Sequence, residues 1–517
     1  MKQKSKKFFL LGIIFIFLIF NNLVPAQSDE QVIPYQVNGK IIEYYGINLD
    51  EDFEKELVVT YRQIFDKLIH LAIFDYNGSA FTKIFDEQVE KKFLYFFEGN
   101  YDSNLYSNLM FQSTHEIMVL SLNSDGNKWI KYCDIDSLFQ VEFQDSFPKM
   151  EIAHDFDRDG ITDLLVPQND SLIWYKSGKP AQKIPVEISA VYDFRLNVGG
   201  FNTIHTLMYS IPDCIYRDIN KDGWDDLICI YKDRVISYLF NLGKGFEKYQ
   251  TLDLTNFLTF RSGYSPINKH ILLLDMDSDT NLDVILFNFS IGAILNTDKL
   301  GTMYLIFKGD KSGKWQEQPN KQVYFNEISG IESSFLFFDV NNDGLLDFID
   351  IGSKFFSSSF IFSLTVKRSY LSTINVYLQS GDGNFIMNPI VNINKDLSLD
   401  SASTQDSSQV DFKTYSILDL SSFLNQIFGN FTYDFNKDKI NDFLIYNFDG
   451  SYLLFLSDKN NPSVYPTKPS RILFISNELL NIFYLNGPYN LILNYFDSNL
   501  LIVFNKAKGK FYVKSVQ

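Results

Sequence analysis

Five stretches of the 517-residue chain place an oxygen-bearing side chain at the first, third, fifth and ninth positions of one frame. Asp155, Asp157, Asp159 and Asp163 fill it first, then Asp218, Asn220, Asp222 and Asp226, then Asp275, Asp277, Asp279 and Asp283. Asp339, Asn341, Asp343 and Asp347 follow, and Asp434, Asn436, Asp438 and Asp442 come last. Alternate residues of a tight loop turn their side chains inward, so each stretch offers several carboxylates and at most one amide to a common centre. That set suits a hard cation, and a shell of about six to eight oxygens is what calcium accepts. The frame therefore predicts about five calcium sites. Glycine stands at the sixth position of three loops (Gly160, Gly223 and Gly344), where a positive φ lets the chain reverse, whereas Thr280 and Lys439 stand there in the other two. A Cβ in that conformation costs about 1–2 kcal/mol, so those two loops are expected to bind more weakly unless their acids offset the strain.

An EF-hand puts an acid at the twelfth position and a helix on each side. The twelfth residues here are Val166, Cys229, Leu286, Asp350 and Ile445, and the ninth-position aspartates are followed by LLV, LICI, VILF, FIDI and FLIY. Such short β-branched and aromatic runs suit buried strands, so each loop is expected to join two strands. These segments resemble the FG-GAP or VCBS repeats of integrin-α-type β-propellers over most of the chain after residue 40. The resemblance implies that each loop links the first and second strands of a blade. It implies a fold more specifically than a function, because the family includes adhesion receptors, lectin-like proteins and some polysaccharide-degrading enzymes.

The elements that must position the loops can be counted from a second repeated feature. A polar, glycine-bearing turn followed by an aromatic residue ends at Phe81, Trp129, Phe246, Trp315, Phe385 and Phe511. Such turns mark hairpins. One unit then reads strand, metal loop, strand, connection, strand, hairpin, strand, which is a four-stranded propeller blade. Weaker copies of the frame extend the count. Asn48, Asp50, Asp52 and Glu56 keep a set able to hold a metal; Asn100, Asp102, Asn104 and Asn108 have one carboxylate and predict a hydrogen-bonded turn; Asn486, Gly487 and Asn490 have none. Eight copies predict an all-β chain forming a β-propeller of eight four-stranded blades, with seven as the alternative. The ring is expected to close by packing of its terminal blades, with VIPYQVN around residue 35 as a further source of a strand. Residues 391–428, which include SLDSASTQDSSQ, lack periodicity and predict a loop insertion opposite the calcium loops.

Lys2, Lys4, Lys6 and Lys7 precede an apolar run from Phe8 to Phe20, and Leu23-Val24-Pro25-Ala26 supplies the residues a signal peptidase reads. Residues 1–26 thus predict a secretory signal peptide, the run falling short of the roughly 20 residues that span a bilayer. Residues 27–517 are then one propeller domain, released outside the cytoplasm to the periplasm, the cell surface or the medium, with no membrane span. A chain that is 45% hydrophobic with 50 Phe and 30 Tyr is not a disordered one. Its 63 acidic against 46 basic residues argue against nucleic acid and anionic membrane as partners. Three cysteines exclude a disulfide scaffold. Cys214 and Cys229 flank the second intact loop on strands expected to pair, within reach of a bridge, two buried thiols being the favoured state.

The five histidines, His70, His115, His154, His205 and His270, lack zinc-ligand spacing, and HExxH, GxSxG and phosphate-cradling loops are missing. Metal ligation would hold the loop carboxylates ionised and unsuited to acid–base work. Trp129 and Trp315 occupy the repeated hairpin position and are expected to pack rather than to stack on sugars. The reading is a monomeric, calcium-stabilised binding module for a protein or glycan ligand, with no catalytic residues assigned. A carbohydrate-active enzyme on the same scaffold, such as a polysaccharide lyase, is the alternative.

Overall fold

The structure, a computed structural model, describes residues 35–515 apart from 51–54, 64–67, 78–79, 103–105, 123–127, 140–146, 197–202, 259–263, 293–299, 327–336, 340, 342, 353–368, 382, 387, 390, 399–430, 434, 436–441, 448–450, 457–469, 475–488, 495–498 and 506–509. Residues 1–26, expected to be a signal peptide, lie outside them. Strands dominate, and the one helical element among the described residues is a 3-10 turn at Thr255–Phe257. No described helix is long and apolar enough to cross a membrane.

The apolar runs after the loops become strands at Asp163–Gln168, Asp226–Ile230, Asp283–Gly292, Asp347–Gly352 and Asp442–Asn447. Each begins at the ninth-position aspartate. The described strands assemble into eight four-stranded sheets and a separate two-stranded one. In chain order, sheet I spans Gly39–Gln88, II Tyr95–Asp134, III Ala153–Pro185, IV Asp213–Asp253, V Tyr264–Asn326, VI Phe337–Ser398 and VII Phe431–Phe474. Each of these is an antiparallel meander with its strands hydrogen-bonded in chain order. Sheet VIII contains Tyr489–Asn494, Asn499–Asn505 and Lys510–Ser515, and the N-terminal strand Tyr35–Gln36 pairs outside the last of these.

The core lies between sheets rather than inside one, and this explains why the runs are apolar without a break. Successive residues of a strand point to opposite faces. In sheet III, Leu164 and Val166 pack with sheet II residues such as Met110 and Val119, whereas Leu165 packs with Leu227 and Tyr238 of sheet IV. In sheet IV, Leu227 and Cys229 face back toward III while Ile228 meets Val284 and Leu286 of V. One cluster also joins Leu57, Val59, Phe74 and Phe81 of sheet I to Ile502 and Phe511 of sheet VIII.

The N-terminal strand settles between those terminal sheets. Tyr35 stacks on Phe511 at 5.0 Å, meets Phe81 edge-on at 5.6 Å, and its hydroxyl accepts the Phe81 N–H at 3.0 Å. Sheets I and VIII pack against each other, and the stretch around residue 35 supplies the further strand that the sequence offered; it pairs with sheet VIII alone, and its Tyr35 ring contacts both Phe81 and Phe511, the hairpin aromatics of the two sheets.

Two expectations change. Residues 391–398 are not insertion but the fourth strand of sheet VI, in register from Ser369↔Ser398 to Val376↔Val391. The apolar alternation of Val391, Ile393 and Leu397, broken by Lys395, hid it; residues 399–428 lie outside the described set. In addition, the connection from sheet III to sheet IV carries a hairpin of Ser189–Leu196 with Thr203–Ser210 that the frame did not predict. Its signal was the Gly199-Gly200 pair between two β-rich runs. Cys214 and Cys229 are direct cross-strand partners and remain free thiols.

The hairpin aromatics have a partner that spacing did not show. Gln182, on the fourth strand of sheet III, donates Nε2–H to the Phe246 carbonyl at 2.7 Å and accepts the Phe246 N–H at 2.8 Å. Gln250 of sheet IV does the same to Trp315 of sheet V, at 2.6 and 2.8 Å. Each glutamine thus clamps the hairpin of the next sheet.

Candidate metal loops

The ninth-position residue anchors each loop. Asp163, Asp226, Asp283, Asp347 and Asp442 are fully buried. A carboxylate oxygen accepts the N–H of the second loop residue from Phe156 (3.3 Å), Ile219 (3.0 Å), Met276 (3.1 Å) and Phe435 (2.9 Å). In sheets IV and V the other oxygen, and in sheet VI the Oδ1 of Asp347, accepts an N–H at the end of the third strand, from Phe240, Gly309 and Gln379, each at 2.8 Å. The loop and the strand three–four turn therefore sit at the same end of each sheet. Burial is the main cause that pushes Asp163 up to about 7, and Asp226 and Asp283 up to about 6, against the lowering effect of these donated hydrogen bonds.

The first position shapes the turn. Asp155 accepts the N–H groups of Asp159 (3.2 Å) and Gly160 (2.9 Å); Asp218 accepts those of Asp222 (3.2 Å) and Gly223 (2.9 Å). Asp275 accepts Asp279 (3.1 Å) and Thr280 (2.9 Å), and Asp339 accepts Asp343 (3.0 Å) and Gly344 (2.8 Å). The fifth-position carboxylate in turn accepts the seventh N–H, from Ile161, Trp224, Asn281 and Leu345. Of the three loops with asparagine third, the two whose third residue is described have Asn220 and Asn341 each donating Nδ2–H to the fifth-position aspartate at 2.9 Å.

The sixth residue is left-handed as expected, at φ 83° for Gly160, 94° for Gly223 and 87° for Gly344, and Thr280 takes φ 69° despite its Cβ. The fourth residue is left-handed too, at 55° for Arg158, 61° for Lys221 and 57° for Ser278. This was not legible from spacing, and it has a consequence: the fourth side chain reaches the next loop. The Arg158 guanidinium lies 5.5 Å from the Trp224 ring, Lys221 Nζ donates to Thr280 Oγ1 and Asn281 Oδ1 at 2.7 Å each, and Ser278 Oγ donates to the Gly344 carbonyl.

Carboxylate oxygens of Asp155, Asp157 and Asp163 lie within 4.8 Å of one another, as do those of Asp275, Asp277 and Asp279. Asp157 Oδ1 and Asp277 Oδ1 are buried with no hydrogen-bond donor, while their Oδ2 atoms pair with Lys176 and Lys308. An all-oxygen donor set with an unsatisfied buried carboxylate oxygen fits a hard cation. Of the fifth loop, Asp434, Asn436, Asp438 and Lys439 lie outside the described residues; Asp442 repeats the anchor.

The weaker first copy assembles a set that spacing only half found. Asp50 and Glu56 group with Asp75 within 4.8 Å, and buried Glu56 takes the anchor role by accepting the Leu49 N–H. Asp75 enters because Leu57 pairs with Phe74, which brings the next residue opposite Glu56. Asp52 lies outside the described residues. In the second copy, Asn100 N–H donates to Thr162 Oγ1 at 2.7 Å and Thr162 N–H to the Asn100 carbonyl at 2.8 Å, so hydrogen bonds tie it to the sheet III loop. Asn486 and Gly487 lie outside the described residues.

The other singled-out residues pack. His154 belongs to the strand Ala153–His154, with Nε2 2.9 Å from Asp225 Oδ2. Trp315 is buried and donates its indole N–H to the Leu282 carbonyl at 2.8 Å, and Trp129 stacks on Phe93 at 5.4 Å.

No family model matches the sequence, and no curated protein matches it. Among solved structures, an Agrocybe aegerita lectin described for specific recognition of non-reducing terminal N-acetylglucosamine is similar at 11% identity. The match covers 84% of this chain and 90% of that one, with a TM-score of 0.32. The V. cholerae biofilm matrix protein Bap1 matches at 12% identity over 94% of this chain and 89% of its own, with a TM-score of 0.31. BBS1N in complex with ARL6DN matches at 9% identity over 94% and 96%, with a TM-score of 0.34. Superpositions this loose carry no argument for fold or ligand.

Proposed function

We propose that the chain is a secreted or surface-associated, calcium-stabilised β-propeller of eight blades that binds a protein or glycan. The observation that carries the metal half of this reading is the loop skeleton shared by sheets III to VI, in which backbone donors hold the first and fifth carboxylates in place. The four loop positions of each intact copy would hold the ion, and calcium would neutralise carboxylates that burial otherwise penalises. Extracellular calcium modules work at dissociation constants of about 10⁻⁴–10⁻³ M, a range suited to an exported chain. Ring closure is supported by the cluster between sheets I and VIII and by the Tyr35–Gln36 strand.

A ligand surface is expected on the end opposite the metal loops. Loops and strand three–four turns share one end of each sheet, so antiparallel pairing sends every connection from a fourth strand to the next sheet from the other end. The hairpin Ser189–Ser210 is the largest such connection among the described residues. A glycan and protein array run with calcium and with chelator, and read for retention and for cleavage, tests the reading. Calcium-dependent retention without cleavage supports it; cleavage moves the chain to the enzymes. Replacing Val191–Met208 with a short Gly/Ser linker is expected to keep the calcium-dependent melt and lose the retained ligand.

A further inference from the structure

The register places one residue of each third strand opposite the ninth loop position. Leu164, Leu227, Val284, Phe348 and Phe443 pair with Tyr175, Tyr238, Phe307, Tyr377 and Phe455, so the next residues occupy equivalent places. They are Lys176, Leu239, Lys308, Leu378 and Leu456. The choice follows the third loop position. Where that residue is Asp157 or Asp277, the strand residue is lysine; where it is Asn220, Asn341 or Asn436, the strand residue is leucine. Both lysines pair with the third-position Oδ2 and leave its buried Oδ1 without a donor. Counting only the carboxylates of the four ligand positions and the strand lysine, all five sets sum to three negative charges when ionised.

We propose that Lys176 and Lys308 are built-in counter-cations that set the calcium affinity of the two four-aspartate loops and hold those loops together when no metal is bound. The proposal rests on the calcium reading above. Each ammonium binds the outer oxygen of the third carboxylate and leaves the inner one for the ion, so the lysine neighbours the metal without being displaced by it. Without the lysine, four carboxylates repel one another in the empty loop and attract a divalent cation more strongly. With it, the loop matches its three-aspartate relatives. The side chain of Lys176 is 44% exposed, so solvent screens the effect, and removing one unit charge beside a divalent ion then changes affinity by about tenfold.

The test uses Lys176→Leu, the leucine of the sister sheets, and the double variant Lys176→Leu with Asp157→Asn, which reproduces their full pattern. Equilibrium dialysis against calcium counts ions retained at each free concentration, and thermal melts in chelator report the metal-free state. The single variant is expected to retain one ion at about tenfold lower free calcium and to melt lower in chelator; the double variant returns both readings toward wild type. Unchanged retention in the single variant, or a double variant that melts no higher in chelator than the single one, overturns the proposal. If the wild-type protein retains no calcium, the calcium reading falls, and so does the affinity role. The chelator melts alone then decide whether the lysines balance the loops.

Discussion

Asp226 and Asp222 belong to one loop yet have different duties. The Asp226 carboxylate is buried and accepts two backbone N–H groups, one from the loop at Ile219 and one from the third strand at Phe240, so an amide there would turn an N–H toward a donor. Asp226→Asn is expected to destabilise the protein by about 2–3 kcal/mol even in chelator. Asp222→Ala, on the exposed part of the loop, is expected to remove one calcium and leave the chelated melt nearly unchanged; denaturant curves with and without calcium separate the two. The raised anchors also predict a pH dependence. Folded Asp163, Asp226 and Asp283 hold protons up to about 7 or 6, whereas the unfolded chain releases them near about 4. This contribution to metal-free stability is full below about pH 4 and is lost as the pH rises through 6 to 7. Chelated protein should therefore melt higher at pH 5 than at pH 8, and calcium-loaded protein should show the reverse, since calcium needs the ionised form. Equal melting at both pH values in chelator would remove the raised anchors from the account. The grouping of the loop carboxylates was legible because the chemistry of a candidate metal site demands residue types at fixed spacing; Asp75, Lys176 and Lys308 were not legible, because only strand register brings them there.

At the level of elements, the repeated aromatic after the hairpin was legible and its partner was not. A glutamine in a fourth strand carries no periodic signal, and its role depends on how the next sheet is placed against it. Gln250 satisfies both peptide groups of buried Trp315. Gln250→Ala is expected to cost about 1–3 kcal/mol by leaving those groups without partners, while Gln250→Glu keeps an acceptor for the N–H and loses the donor. A chemical melt in which Gln250→Ala matches wild type would show that water replaces the clamp. The same contrast explains the strands. Runs such as LICI were readable because both faces of the strand are buried between sheets, whereas Val391–Ser398 alternates with polar residues and resembled a loop. The Ser189–Ser210 hairpin lay between frames and broke no spacing rule, since a long step between copies carries no statement of what fills it.

Over the whole molecule, the loops and the terminal sheets set how far a disturbance travels. Spacing alone suggests independent metal sites, but Lys221 of the sheet IV loop holds Thr280 and Asn281 of the sheet V loop. Lys221→Ala is therefore expected to shift retention of two calcium ions rather than one, and a change confined to a single ion would restore independence. The terminal sheets are joined by less: the Tyr35–Gln36 strand contributes two register pairs, and the Tyr35 ring fills the slot between Phe81 and Phe511. Tyr35→Ala loses a stacked pair, an edge contact and a hydroxyl acceptor, at about 2–3 kcal/mol. Because the successive clusters from sheet I to sheet V do not involve Tyr35, the loss should appear first as local opening where the chain's two ends meet. Hydrogen exchange is expected to accelerate in Glu56–Gln63 of sheet I and Asn499–Asn505 of sheet VIII, while Asp226–Ile230 of sheet IV keeps its wild-type protection. Uniform acceleration across all three strands would mean that the variant destabilises the fold globally and that the added strand has no special part in holding the terminal sheets together.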